Sequence, residues 1–180
     1  MIAQFNIKKE YNFLENKIQK ELNKVFFKKN FIGGENVKLI EKNVAKYIGV
    51  NYASSCNSGT DALYLALNAI GVGKGDEVIT TPFTFISTIE AIIYVGAKPI
   101  FADIDLDTYN ISKEKILEKI SNKTKAILPV HIFGNPVDIR DIKREINDDS
   151  IKIIEDCAQS FGAGINCQRV GSIGDIGCFS

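Results

Sequence analysis

Residues 153–164, IIEDCAQSFGAG, join a short apolar run to two consecutive carboxylates, Glu155 and Asp156. A continuous apolar run that ends in charge is typical of a strand buried on both faces of a parallel sheet. Gln159 lies three residues beyond Asp156, and a Gly-Ala-Gly turn follows. Strands end at the protein surface, so simple solvation is one interpretation of Asp156. The other is that Asp156 faces a positive group that binds there.

Apolar runs of the same kind recur along the chain and alternate with helical patterns. The predicted strands are a first strand near 50–54, then VITT (78–81), PIFADI (99–104), KAILPV (125–130), KIIED (152–156) and a last strand in GCFS (177–180). The predicted helices cover residues 11–29, 37–48, 60–70, 84–94, 112–121 and 138–146. The helix at 60–70 is apolar nearly all round and is predicted to be deeply buried. This alternation predicts an α/β fold whose mostly parallel sheet has helices on both faces.

The composition excludes several classes of function. Of 180 residues, 22 are Lys or Arg and 22 are Asp or Glu, so no basic excess would attract nucleic acid. No apolar run is long enough to span a bilayer, and residues 1–13 lack the apolar core of a signal peptide. The four cysteines show no C-x-x-C spacing, which disfavours structural zinc. We therefore expect a cytoplasmic protein with reduced thiols and without metal, nucleic-acid or membrane partners.

The segment NSGTDAL (57–63) carries the features of a phosphate site. It opens a predicted helix with Gly59 and Thr60. Helix N-termini expose unpaired N–H groups and the positive end of a dipole, so they bind phosphate, and glycine lets the backbone approach closely. Ordinary capping of the helix by Ser58 or Thr60 is the alternative interpretation.

Two further residues follow predicted strands, where ligands of parallel sheets bind. Phe85 comes shortly after VITT and suits stacking on a flat ring, although a core side chain is the alternative. His131, the single histidine, directly follows KAILPV. It is either a residue of the site or a structural side chain whose hydrogen bonds are satisfied. Its position at a strand end leaves both interpretations open.

A phosphate site, an aromatic side chain and a carboxylate at one edge of a sheet suit a flat, phosphorylated and cationic ring. Pyridoxal 5'-phosphate (PLP) is such a ring. A carboxylate beside its pyridine nitrogen favours the protonated form, because an opposite charge stabilises the charged state. The protonated ring then acts as an electron sink. Asp156 is the candidate partner of the ring nitrogen, and Gln159 is placed to reach the ring hydroxyl.

The sequence resembles the DegT/DnrJ/EryC1/StrS family of PLP-dependent sugar aminotransferases, which have fold type I. The resemblance runs from about residue 31 to residue 180 in ordered blocks at the family's spacing. The blocks are FIGGENVKLIE (31–41), NSGTDALYLAL (57–67), GKGDEVITTPFTFISTIEAI (73–92), GAKPIFADIDLDTYNIS (96–112), ILPVHIFGNPVDI (127–139), IIEDCAQSFGA (153–163) and GSIGDIGCFS (171–180). The resemblance implies an aspartate-aminotransferase-like large domain, with 31–180 as the N-terminal part of that PLP-binding domain and 1–30 as a separate helical segment.

The resemblance also implies which residues surround the cofactor. They are Gly59 and Thr60 at the phosphate, Phe85 on the ring face, Asp156 at the ring nitrogen, Gln159 near the ring oxygen, Ser180 as a further phosphate contact and His131 in the pocket. In the family, a serine such as Ser180 begins an S-F-x-x-x-K type motif whose lysine forms the Schiff base. That lysine and the small C-terminal domain are absent from this sequence, so we expect either a fragment of a longer protein or a truncated product.

The implied activity is transfer of an amino group, with glutamate the expected donor, to a keto sugar nucleotide. Such amino sugars enter surface polysaccharides and other glycoconjugates, and the full-length enzyme is expected to be a homodimer. Two alternatives stay open: a sugar dehydratase of the same family, in which histidine replaces the lysine, and a truncated, non-catalytic binding or regulatory homologue. An unrelated nucleotide-binding domain is disfavoured, because neither phosphate-loop fingerprint occurs in a strand-to-helix context.

Overall fold

Two helices precede the sheet. In the computed structural model, which describes residues 7–29 and 31–180, α1 spans Ile7–Lys28 and α2 spans Glu35–Ile48. The helices predicted at 11–29 and 37–48 are confirmed, and α2 stops at Gly49, whose φ of +91° is left-handed. The chain divides into two compact units, residues 1–43 and 44–180. Among the described residues, no helix has the length and hydropathy needed to cross a membrane.

Five parallel strands of the second unit form one sheet, in the order β2-β1-β3-β4-β7. The strands of the chain are β1 (Glu77–Thr80), β2 (Lys98–Phe101), β3 (Thr124–Ile127), β4 (Lys152–Asp156), β5 (Gly164–Ile165), β6 (Gln168–Arg169) and β7 (Ile176–Cys178). The short β5 and β6 pair with each other as an antiparallel hairpin. At the carboxyl edge of the main sheet, Asp156 of β4 lies beside Cys178 of β7.

Alternation along each strand divides the core into two layers. The remaining helices are α3 (Gly59–Ala69), α4 (Ile86–Tyr94), α5 (Lys113–Leu117) and α6 (Ile139–Ile146). Val78 and Ile154 belong to the apolar cluster that contains α3 and α4, whereas their neighbours Ile79 and Ile153 belong to the cluster of α5 and α6. Successive side chains of a strand point to opposite faces, so helices cover both faces of the sheet. The predicted α/β fold class is thereby confirmed.

Two local predictions are wrong. No strand forms at residues 50–58, and Tyr52 there is 90 % exposed. That segment has too few apolar residues to be buried on both faces of a sheet. Helix α3 is buried on only one face, since Leu63 and Leu67 are buried while Leu65 is 52 % exposed. The sequence of α3 alone does not reveal that neighbouring elements cover only one face of the helix.

Candidate active site

The carboxyl edge of the sheet gathers the residues that sequence analysis singled out. Asp156 ends β4, and Cys178 beside it leads to Ser180 at the end of the chain. Helix α3 begins at Gly59 and contacts both β4 and β7. Because all five strands are parallel, their carboxyl ends lie at the same edge, where ligands of such sheets bind.

Asp156 is a buried carboxylate held by two hydrogen bonds. The hydroxyl of Thr88 in α4 donates to its Oδ2 at 2.8 Å, and the backbone N–H of Ala158 donates to its Oδ1 at 3.2 Å. Burial raises the pKa of Asp156 above its usual range, although these bonds act in the opposite direction. No described lysine or arginine forms an ion pair with it. A cation placed beside Asp156 would therefore be stabilised.

Thr88 is a residue of the site that sequence analysis missed. It lies on α4, and its hydroxyl also shares a hydrogen bond of 2.8 Å with Thr84. The available signal was spacing, because Thr84 and Thr88 are four residues apart in the helix predicted at 84–94, which would place them on one side of it, although α4 itself begins at Ile86. Thr88 is buried although it is polar, which requires partners such as Asp156.

The start of α3 is capped by Ser58. Its Oγ accepts a hydrogen bond of 3.1 Å from the backbone N–H of Asp61. Thr60 instead donates from Oγ1 to the Oγ of Ser87 in α4, at 2.8 Å. The cap and the candidate phosphate residue are thus different side chains. The alternative that Thr60 serves as the cap is excluded by this geometry.

Gly59 and Ser180 lie against each other. A Cβ added at Gly59 would be 3.1 Å from the Oγ of Ser180 and 2.8 Å from its Cβ, and the second distance is closer than real side-chain atoms approach. The first N–H groups of a helix have no carbonyl partner within it. The last residue of the chain therefore brings a hydroxyl next to the donors that open α3. This small, donor-rich space suits a phosphate group.

Gln159 is anchored by the backbone of the segment after β3. Its Oε1 accepts a hydrogen bond of 2.9 Å from the N–H of Phe133. Phe133 has a left-handed φ of +53° and lies in a short 3₁₀ turn, Ile132–Gly134. The bond fixes Oε1 as the acceptor end of the carboxamide, so its amino group is the end left to donate to a ligand.

Phe85 is a surface residue of this edge and not part of the core. It occupies the position just before α4 and is 70 % exposed. The alternative of a core side chain is therefore wrong. Phe83 is 41 % exposed and contacts Phe133 edge to face, with ring centroids 6.2 Å apart. Exposed aromatic rings at the carboxyl edge are available for stacking.

His131 is fully buried, and both of its ring nitrogens are hydrogen-bonded within the protein. Nδ1 accepts from the N–H of Val137 at 2.9 Å, and Nε2 donates to Oε2 of Glu155 at 2.9 Å. This pattern requires the neutral ring with its proton on Nε2. The ring has no nitrogen left for a ligand. The geometry thus favours the structural interpretation of His131 over a role in proton transfer.

His131, Glu155 and Cys157 offer ligand atoms within 4.8 Å of one another, but their bonding does not suit a metal. The histidine and the carboxylate are already bonded to each other. Burial is the main cause that raises the pKa of the Cys157 thiol, which keeps it protonated, and metals bind the thiolate. All four cysteines of the chain are free thiols.

The fold and the site are accompanied by a specific similarity. The sequence pattern of the DegT/DnrJ/EryC1/StrS aminotransferase family matches residues 12–180. The chain belongs to that family. A DegT/DnrJ/EryC1/StrS aminotransferase of Brucella abortus has a similar structure, with a TM-score of 0.93 and 32% identity over 100% of this chain and 50% of its own. The resemblance drawn from the motifs and the fold-type-I architecture are both confirmed.

Relatives with named activities are similar over almost the whole chain. UDP-N-acetyl-3-dehydro-α-D-glucosamine 3-aminotransferase of Acidithiobacillus ferrooxidans is 44% identical over 99% of this chain and 48% of its own. UDP-2-acetamido-2-deoxy-3-oxo-D-glucuronate aminotransferase of Pseudomonas aeruginosa is 37% identical over 100% and 50%. The structure of a GDP-4-keto-6-deoxymannose-3-dehydratase variant with bound GDP-perosamine matches with a TM-score of 0.86 and 34% identity over 90% and 44%. The chain spans about half the length of these relatives.

Proposed function

We propose that the protein containing this chain is a PLP-dependent aminotransferase that moves an amino group from glutamate to a keto sugar nucleotide. The product would be an amino sugar for surface polysaccharide or other glycoconjugate synthesis. One observation carries the proposal: a buried carboxylate, Asp156, lies without an ion-pair partner among the described lysines and arginines, at the edge where α3 begins. The family and the names of the relatives support the same reading.

The residues at the edge fit the ring of PLP. Asp156 would hold the ring nitrogen in its protonated form, because an opposite charge beside a buried carboxylate favours the charged form of both groups and offsets the burial that raises the pKa of Asp156. The bond from Thr88 orients the carboxylate, so that it has a fixed direction before any ligand binds. Phe85 would cover one face of the ring, and the amino group of Gln159 would donate to the ring oxygen. Bound there, PLP would supply an electron sink for the carbon that exchanges its amino group.

The residues at the start of α3 fit the phosphate of PLP. The N–H groups at Gly59 and Thr60 lack partners within the helix, and the dipole of α3 favours an anion at that end. The Thr60 hydroxyl, now bonded to Ser87, would turn to the phosphate, and Ser180 would add a second hydroxyl. We propose that His131 has a structural role in this part of the protein, because neither of its ring nitrogens is available to a ligand.

The names of two relatives suggest which substrate to test first. Both act on a UDP-linked sugar with an acetamido group and an oxo or dehydro function at C3, as their names state. We therefore propose a UDP-linked 3-keto sugar as the substrate and glutamate as the donor. We further propose a cytoplasmic homodimer, in which the partner subunit contributes to the nucleotide site, as the family resemblance implies.

A sugar dehydratase is the second candidate, and similarity to the dehydratase structure favours it. The two activities differ in one side chain, which the family places a few residues after the position of Ser180. A lysine there supports amino transfer and a histidine supports dehydration. Reading that codon in the gene separates them. A stop codon would favour the third candidate, a binding or regulatory homologue.

The test uses the complete gene product, PLP, glutamate and a UDP-linked 3-keto sugar. We expect 2-oxoglutarate and an amino sugar in equal amounts by mass spectrometry. Asp156→Ala should lower turnover by about a thousandfold, equivalent to roughly 4 kcal/mol, because it removes the charge that keeps the ring nitrogen protonated. Asp156→Glu keeps that charge and should lose far less. Near-native turnover by the alanine variant would rule out the role of Asp156, and absence of PLP binding would rule out the proposed function.

A further inference from the structure

Glu155 is a buried carboxylate on the opposite face of β4 from Asp156. It is fully buried and accepts four hydrogen bonds. Oε1 accepts from the N–H groups of Ile173 at 2.9 Å and Gly174 at 2.6 Å. Oε2 accepts from the N–H of Gly171 at 2.8 Å and from Nε2 of His131 at 2.9 Å. A carboxylate has about four lone-pair sites, so Glu155 is saturated by its own protein.

Saturation keeps Glu155 charged inside the protein. Burial by itself would raise its pKa, but the hydrogen bonds from His131, Gly174 and Gly171 outweigh it and hold the pKa of Glu155 below its usual range. Hydrogen bonds to an ionised acceptor are about twice as strong as neutral ones. Such a group holds its donors firmly. It is unlike Asp156, whose pKa is raised by burial because its two hydrogen bonds do not outweigh the loss of solvent.

The pair of Glu155 and His131 connects three segments around the site. Nδ1 of His131 accepts from Val137, and the N–H of His131 donates to the carbonyl of Asp156 at 3.1 Å. The segment after β3 is thus tied to the end of β4. The remaining three bonds of Glu155 tie the end of β4 to the turn at residues 171–174. That turn leads directly into β7.

The turn at 171–174 is packed against β7 without intervening side chains. A Cβ added at Gly177 of β7 would lie 2.4 Å from the Cα of Gly171, which no real structure accommodates. A shift of the turn toward β7 would therefore displace the strand. Two residues beyond β7 stands Ser180, which itself lies in contact with Gly59 at the start of α3. A displacement of the turn is transmitted through these contacts to Ser180, because packed interiors do not deform freely.

We propose that the Glu155–His131 pair is a positioning device, which holds the turn at 171–174 and through β7 sets the place of Ser180 beside Gly59. The proposal rests on the proposed function, since it takes the space between Ser180 and Gly59 as the phosphate site. Glu155 itself does not touch the cofactor. Its loss should weaken phosphate binding in protein that is still folded, whereas a purely stabilising residue would alter only the unfolding equilibrium.

The variant Glu155→Gln has almost the same volume and tests this directly. In this variant an amino group replaces one of the two carboxylate oxygens. At either position the amino group faces two N–H donors, so both orientations of the amide leave two donors unpaired. Asp175→Asn is the matched control. Asp175 belongs to the same segment and accepts from the N–H of Ile153 through Oδ2, and an asparagine carbonyl can still accept that bond.

The complete gene product is used, at a temperature at which circular dichroism shows every variant folded. The PLP dissociation constant is measured by equilibrium dialysis, and amide hydrogen exchange is followed at Gly171, Ile173 and Gly174. We expect Glu155→Gln to bind PLP about tenfold more weakly, equivalent to about 1.4 kcal/mol, with faster exchange at the three amides. The PLP dissociation constant of Asp175→Asn should stay within about twofold of the wild-type value.

His131→Asn is the second variant and covers the case in which Glu155→Gln does not fold. Asparagine can replace Nδ1 as the acceptor for Val137 but cannot reach Glu155, so one of four donors is lost. We expect PLP binding about threefold weaker, between the wild type and Glu155→Gln. Faster exchange with an unchanged PLP dissociation constant in the folded variants would overturn the positioning role. A wild-type protein that binds no PLP would overturn the proposed function instead.

Discussion

Glu155 and Asp156 are consecutive residues of one strand, and their surroundings shift their pKa values in opposite directions. Alternation along β4 sends Asp156 toward α4 and Glu155 toward His131 and the turn at 171–174. Glu155 receives four hydrogen bonds and its pKa is lowered, whereas Asp156 receives two and burial raises its pKa. Glu155 thus finds all of its hydrogen-bond partners within the protein, whereas Asp156 does not.

The raised pKa of Asp156 predicts that Asp156→Asn stabilises the protein without cofactor. A carboxyl whose pKa is higher in the folded state favours folding below its ordinary pKa, and that contribution is lost as the pH rises through the folded value. Asparagine stays neutral, its Oδ1 can accept from the N–H of Ala158, and its amino group can donate to the Thr88 hydroxyl, which then donates to Thr84. We expect a gain of about 1 kcal/mol in the free energy of unfolding at pH 7, measured by urea titration, and little gain at pH 4. An equal effect at both pH values would contradict the role of charge.

The contact between Gly59 and Ser180 predicts the effect of Gly59→Ala. Alanine favours a helix by about 1 kcal/mol over glycine, so the fold should tolerate the change. The new methyl group must push Ser180 away, because it would lie 2.8 Å from its Cβ. We expect PLP binding about tenfold weaker in dialysis. Gly73→Ala is the control, since the nearest atom there is 3.9 Å away, and equal affinities of the two variants would contradict the prediction.

At the scale of elements, α3 and α4 are joined next to the site by one side-chain bond, from Thr60 to Ser87. Thr60→Val removes that bond and the hydroxyl proposed for the phosphate, while Ser87→Ala removes the bond alone. Both variants should lose a similar 0.5–1.5 kcal/mol of stability, about the net worth of one hydrogen bond. Only Thr60→Val should weaken PLP binding, by about fivefold in titration. Equal losses of affinity would remove Thr60 from the phosphate site.

At the scale of the whole molecule, the lysines of the sheet lie far from Asp156. Lys98 and Lys152 begin β2 and β4, and Lys125 is near the start of β3. Along β4, Lys152 and Asp156 are separated by about 13 Å at the rise of an extended strand. A lysine side chain is too short to extend over that distance and reach a ring at the carboxyl edge. The described sheet thus brings no lysine of its own to the proposed ring.

The distance predicts the outcome of reductive labelling. When these 180 residues are expressed alone, mixed with PLP and reduced with borohydride, peptide mapping should find no single lysine labelled in stoichiometric amount. The complete gene product, treated in parallel, is the positive control. One fully labelled lysine within the 180 residues, together with amino transfer to the keto sugar nucleotide, would show that a lysine of this chain serves as the anchor.

The sequence by itself determined the fold class, because continuous apolar runs such as KIIED separated by helical patterns suit a parallel sheet and little else. It also placed Asp156 at the carboxyl edge, because Asp156 ends a predicted parallel strand. The strand expected before Gly59, near residues 50–54, does not form, so the place of Gly59 at that edge follows from the packing of α3 against β4 and β7. Only the tertiary structure decided that Ser180 contacts Gly59, that Thr88 holds Asp156 and that Glu155 collects four donors. These contacts join residues far apart in the chain, and many depend on single backbone N–H groups. Local periodicity reports which face a side chain occupies, but it carries no information on which distant backbone group will lie opposite.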